Sequence, residues 1–196
     1  AAQRVIDHLA HPPRDSRMAA WDEDGLESPA WTNNSVLAHA YLLAGDWQAA
    51  HQLAARQNPL GWSSGENPQG LVTTAFLVFL SGKLPAALPT NLSQLWQGRL
   101  QASAGFDYWD REEESEADWL KRLERIYAEQ LPRLSFLKDQ QEAFLTWCVD
   151  VANRRVDAIV GGKHRGSYDK AAALIAACAE VLRLRDKDSQ AESVLG

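Results

Sequence analysis

Cysteine is scarce in this 196-residue chain: Cys148 and Cys178 are its only two thiols. Both fall inside apolar helical patterns, where a free thiol behaves as a small hydrophobe, so buried reduced thiols are expected and no disulfide is needed. The four-cysteine and Cys/His spacings of zinc modules are missing, as are H-E-x-x-H and paired Glu-x-x-His patterns. No metal site and no cofactor is therefore assigned. The longest strongly apolar run, residues 71–80, is far too short to cross a bilayer as a helix, and no membrane partner is expected. Positive charge is in deficit, with 20 Lys and Arg against 26 Asp and Glu and a net charge of −6. That balance disfavours broad, nonspecific nucleic-acid binding. Nowhere does the chain alternate convincingly between apolar and polar residues, so no strand competes with the helical patterns.

What is present is ordinary globular material, 45% hydrophobic and 23% charged, enough for one well-filled core or several stacked hairpins. The reading is a single all-α domain over residues 1–196, with 1–104 and 105–196 as possible sub-units. The opening Ala1-Ala2-Gln3 reads as the start of a piece excised from a longer cytoplasmic protein.

Helical spacing of Val5, Ile6 and Leu9 marks a short helix stopped by Pro12-Pro13, and Asp15 or Ser16 opens a second through Ala20. Residues 34–56 form a helical hairpin around Gly45-Asp46-Trp47. Small residues there (Ala38, Ala40, Ala49, Ala50) mark the seam, and Leu37, Tyr41 and Leu53 fill it. A Gly/Ser/Asn/Pro-rich loop spans 61–70, and residues 71–81 make a central buried helix bracketed by Pro68, Gly82, Pro85 and Pro89. Asn91 begins a further helix. Residues 112–131 are amphipathic, with Trp119, Leu120, Leu123, Ile126 and Tyr127 in one stripe that ends at Pro132. A long helix over 134–160 places Leu137, Phe144, Trp147, Cys148, Val151 and Ile159 near one face. Gly161-Gly162 ends it, Ser167 caps the next, and residues 188–195 close the chain as a last helix.

Two segments resemble the tetratricopeptide hairpin. In the first, Ala40-Tyr41 lead through Gly45-Asp46-Trp47 to Ala50 and Leu53; in the second, residues 177–184 lead through Asp186 to Ala191 and Leu195. Ala50 and Ala191 take equivalent tight positions, although the second copy lacks the turn glycine and no unbroken array follows. The resemblance implies a helical bundle or short superhelix of tetratricopeptide-like hairpins that binds a protein or peptide. Lys163-His164-Arg165-Gly166-Ser167-Tyr168, with Asp169-Lys170-Ala171-Ala172, resembles the C-terminal helical region of bacterial SWIM zinc-finger proteins. That likeness implies an accessory domain; the zinc-binding signature itself is missing, so no metal is carried over.

Gly61-Trp62-Ser63-Ser64-Gly65 matches G-x-S-x-G, which would make Ser63 a nucleophile with His164 as the one downstream histidine. That chemistry needs a strand leading in and a helix leaving at once, whereas a helix and Asn58-Pro59 lead in here and Pro68 delays the next helix. A loop anchored by Trp62 is the better reading. His8 with His11, and His39 with His51 on the two arms of one hairpin, are too few for ligation and read as structural. The run over residues 161–167 lacks the order of a phosphate loop. Lys163, His164, Arg165 and Ser167 at the start of the next helix nevertheless form a candidate anion site, extended by Arg154, Arg155, Lys170, Arg183 and Arg185. Of the eight tryptophans, Trp47, Trp119 and Trp147 fall on apolar stripes, while Trp21, Trp31, Trp62 and Trp109 sit in or beside loops. Trp31, Trp62 and Trp109 are candidates for the rim of a partner groove. No catalytic residue is assigned. The expected function is a non-enzymatic helical interaction or scaffold domain. The alternative is a small-molecule or anion-binding or hydrolytic enzyme with a site near Ser63, His164 and Arg165.

Overall fold

A computed structural model describes residues 30–62, 67–104 and 116–196. The expected helices over residues 3–20, together with His8, His11, Trp21, Ser63 and Trp109, lie outside the described residues. Eight α-helices and no strand occur among the described residues, and the fold is all-α.

Helix α1 (Ala30–Ala44) and α2 (Trp47–Ala55) form the expected hairpin. The turn works because Gly45 adopts φ of 84°, a left-handed conformation that costs glycine least. The amide of Asp46 then reaches back to the Tyr41 carbonyl (2.9 Å), that of Gly45 to Leu42 (3.1 Å), and Asp46 Oδ1 caps α2 by accepting from the Ala49 amide (3.0 Å). Ala38, Ala40 and Ala50 are buried in the seam as the spacing predicts. Leu42 and Trp47 supply its bulk; Leu37, Tyr41 and Leu53 are only half-buried.

Helix α3 (Pro68–Leu80) is the axis of the molecule, with all but one of its residues buried. It touches α1, α2, α4 (Thr90–Ala104), α6 (Lys138–Val156) and α7 (Tyr168–Leu184), which is why it is apolar all round instead of amphipathic. Its start differs from the sequence reading. Pro68 does not bracket the helix but occupies its first turn, where a missing N–H costs nothing, and Asn67 caps it by accepting from the Gln69 amide (2.8 Å). A chain of amides secures this entry: Gln69 Nε2 donates to the Gln57 carbonyl, and Asn34 Nδ2 donates to Gln57 Oε1.

Helix α5 (Glu116–Gln130) carries its expected stripe, Leu123 and Tyr127 being fully buried. The long helix expected over 134–160 is shorter. Residues 134–137 lie outside it, α6 begins at Lys138, and its end widens into a π-helical turn (Asp157–Gly161). Leu137, expected on the apolar face, is 74% exposed, because it precedes the helix and cannot share its face. Ser167 stands before α7 as expected, but its hydroxyl does not cap the helix.

Helix α7 packs against α4, α6 and α8 (Asp188–Leu195). The α7–α8 turn reproduces the two backbone bonds of the α1–α2 turn, without its side-chain cap. Lys187 N reaches the Leu182 carbonyl (3.0 Å) and Asp186 N the Arg183 carbonyl (3.0 Å), with Asp186 at φ of 58° where the first hairpin has Gly45. Ala191 is buried as completely as Ala50. Asp fills the left-handed position because its short side chain tolerates it better than most. A third copy ends α6, with Lys163 at φ of 57° and His164 N bonded to the Ile159 carbonyl (2.9 Å). One continuous hydrophobic cluster joins side chains from all eight helices.

Candidate functional site

The loop after α2 and the loop before α7 come together. Trp62 and His164 stack with ring centroids 4.6 Å apart and planes 17° from parallel, while 53% of Trp62 remains exposed. The His164 ring is held from another side by Gly162, where a Cβ would lie 2.7 Å from its Cδ2. Gly162 has an ordinary helical φ, so glycine is required there not by its own conformation but by crowding from the His164 ring and from the Ala158 carbonyl oxygen, also 2.7 Å from a Cβ. Trp62 is thus fixed on a support, with much of its surface left to solvent. Trp31 lies in the first turn of α1, and its side chain is outside what the structure describes.

The four residues expected to hold an anion stand in different surroundings. Lys163 and Arg165 are exposed, His164 is engaged by Trp62, and Ser167 is buried, taking a long contact from Lys170 Nζ (3.5 Å). The wider set of basic residues also divides. Arg154 folds back on the Asp150 carbonyl, Arg183 pairs with Glu192 (2.6 Å), and Arg185 reaches the Leu80 carbonyl, Gln141 and Glu142. Arg155 is different. It is 4% exposed and lines a pocket of about 400 Å³ between α4 and α7. The pocket's polar lining includes Gln94, Arg99, Asp169 and Lys170, and Leu60, Leu95, Gly98 and Ala173 complete its wall.

Arg99 was not singled out in the sequence, and its placement depends on Gly70. The Arg99 guanidinium lies across that residue so closely that a Cβ would come within 2.9 Å of its Cζ. Arg155 was legible only as one cation among several. The signal that distinguishes it is register: it continues the buried series Phe144, Cys148, Val151 toward Ile159, a series that otherwise holds apolar side chains. Burial depresses the Arg155 pKa, and the nearby Asp169 carboxylate partly offsets that.

A second groove of about 400 Å³ runs between α6, α7 and α8, lined by Glu142, Asp150, Lys187 and Gln190 among others. Its charges answer one another: Lys187 and Arg185 both pair with Glu142, and the Lys187 hydrogen bond holds that carboxyl below its usual range.

His39 and His51 do not meet. His39 stands edge-on to Tyr127, and desolvation holds its pKa down at about 4. His51 lies among Phe76, Phe144 and Trp147, with its pKa lowered for the same reason. Cys148 and Cys178 are buried free thiols, as expected, Cys178 pushed up to about 12 and Cys148 also raised by burial. Among the described residues no three His, Cys, Asp or Glu side chains group as metal ligands, and no helix is long and apolar enough to cross a membrane. No family model, no curated protein and no solved structure matches this chain.

Proposed function

We propose that the chain is a non-enzymatic helical interaction or scaffold domain of tetratricopeptide-like packing that holds a protein or peptide partner across the Trp62 face. One observation carries this reading: Trp62 is half-exposed yet held by its stack on His164. A large aromatic that is both rigid and accessible suits an anchor for a partner, because little side-chain freedom is left to lose on binding. The paired hairpins, α1–α2 and α7–α8, support the tetratricopeptide-like packing. In this reading the domain works in the bacterial cytoplasm, and its buried free thiols suit a reducing compartment.

A photo-activatable side chain in place of Trp62, compared with one in place of Leu137 at the far end of α6, tests this. A single protein adduct obtained in cells from position 62 and not from 137 supports the reading. Identical adducts from both positions, or none from either, overturn it.

A further inference from the structure

Arg155 sits where helix α6 calls for a hydrophobe. Phe144, Cys148, Val151 and Ile159 all turn into the core at helical spacing, and Arg155 falls in the same series with 4% of its surface exposed. Among the described residues none lies within hydrogen-bond or ion-pair distance of its guanidinium, and its Nε is a buried donor without an acceptor. Asp169 on the same pocket wall is a carboxylate near this charge but forms no ion pair with it, and a leucine would fill the position more cheaply than a buried charge answered only at longer range. The guanidinium borders the 400 Å³ pocket, whose size falls within the range of small-ligand sites.

The lining states what would fit. Arg155 brings a positive charge that no described ion pair answers, which suits an anion; Arg99, Lys170 and Asp169 stand beside it on the same wall. Arg99 and Lys170 have contacts of their own; Arg155 is the donor left to be answered. Leu60, Leu95 and Ala173 face the same space and suit a compact apolar group attached to the anion. Arginine forks match the oxygens of a phosphate more closely than a single ammonium does. We infer that the pocket between α4 and α7 is a binding site for a small organic phosphomonoester, its phosphate on Arg155 with Arg99 and Lys170 alongside, its carbon skeleton against Leu60, Leu95 and Ala173. This site is separate from the Trp62 contact and does not depend on a protein partner.

Calorimetric titration of the full chain with phenyl phosphate, inorganic phosphate and benzoate provides the test. Phenyl phosphate binds most tightly, inorganic phosphate more weakly for want of the apolar group, and benzoate more weakly for want of the second charge. Arg155→Met weakens phenyl phosphate by about tenfold to a hundredfold, the weight of one or two charge-assisted hydrogen bonds, and leaves the thermal midpoint equal or higher. A residue kept for structure would instead lower the midpoint. Ala173→Leu, which fills the pocket and keeps Arg155, also removes binding and covers the case in which the Met variant does not fold. Absence of heat at millimolar phenyl phosphate, benzoate binding as tightly as phenyl phosphate, or unchanged affinity in either folded variant overturns the inference.

Discussion

Tyr127 is fully buried, edge-on to Trp96 at 4.8 Å, and its hydroxyl has no hydrogen-bond partner. Desolvation raises the pKa of that phenol strongly, since the ionised form would be worse still. The ring is needed for packing and the oxygen is not. Tyr127→Phe is therefore expected to hold or raise stability, by up to about 1 kcal/mol, in denaturant unfolding, because it removes a dehydrated polar group at constant shape. The two thiols make a second residue-level prediction. Their burial and raised pKa values leave almost no thiolate at neutral pH, so neither Cys148 nor Cys178 is alkylated in the native protein. Mass spectrometry after brief iodoacetamide treatment should show no label without denaturant and two labels with it. Labelling of the native chain would show that α3, α6 and α7 part more readily than their packing implies.

At the scale of elements, α4 depends on a residue far away in sequence. Its first turn is capped by Glu180 of α7, which accepts from the Asn91 amide (3.1 Å), the Leu92 amide (2.9 Å) and Asn91 Nδ2 (2.7 Å). A carboxylate there satisfies donors that the helix cannot satisfy itself and complements its dipole. Glu180→Ala is expected to cost about 0.5–2 kcal/mol in chemical denaturation, the range for loss of an N-cap. The two matched hairpins bear the same kind of stress at Ala50 and Ala191. Ala50→Trp is expected to destabilise by about 1–3 kcal/mol or more, since no volume is free at an interhelical contact of this kind. An unchanged thermal midpoint in that variant would contradict the seam.

For the whole molecule, acid is the revealing variable. His39 and His51 both have lowered pKa values in the folded state, so at mildly acidic pH the unfolded chain binds more protons than the native one. Unfolding free energy therefore rises with pH through this window. The contribution of His39 is complete above the ordinary value of 6.5 and disappears as pH falls toward about 4. Denaturant midpoints across that interval should decline, with His39 accounting for up to about 3 kcal/mol. His39→Gln should flatten the decline, and an identical slope in that variant would remove His39 as its source.

Periodicity alone determined that the chain is helical, that residues 71–80 lie at its centre, and that Ala50 and Ala191 sit at tight contacts. Those features depend on which face of a helix is apolar, and the order of side chains carries that directly. It also exposed the loop tryptophans and the cations around residues 154–170 as places of interest. Tertiary structure decided the rest. Leu137 left the core because α6 starts one residue after it, and Pro68 joined α3 because Asn67 caps the first turn from outside. Lys163, His164, Arg165 and Ser167 read as one site along the chain, yet the turn ending α6 sends two of them to solvent, one under Trp62 and one inside. Arg155 of α6 and Arg99 of α4 line one pocket only because α7 packs against both helices, and Glu180 helps to place α4 and α7 side by side. Charge and spacing are local quantities; burial and the pairing of distant helices are not, and those two decide whether an arginine is bathed in water or left waiting for an anion.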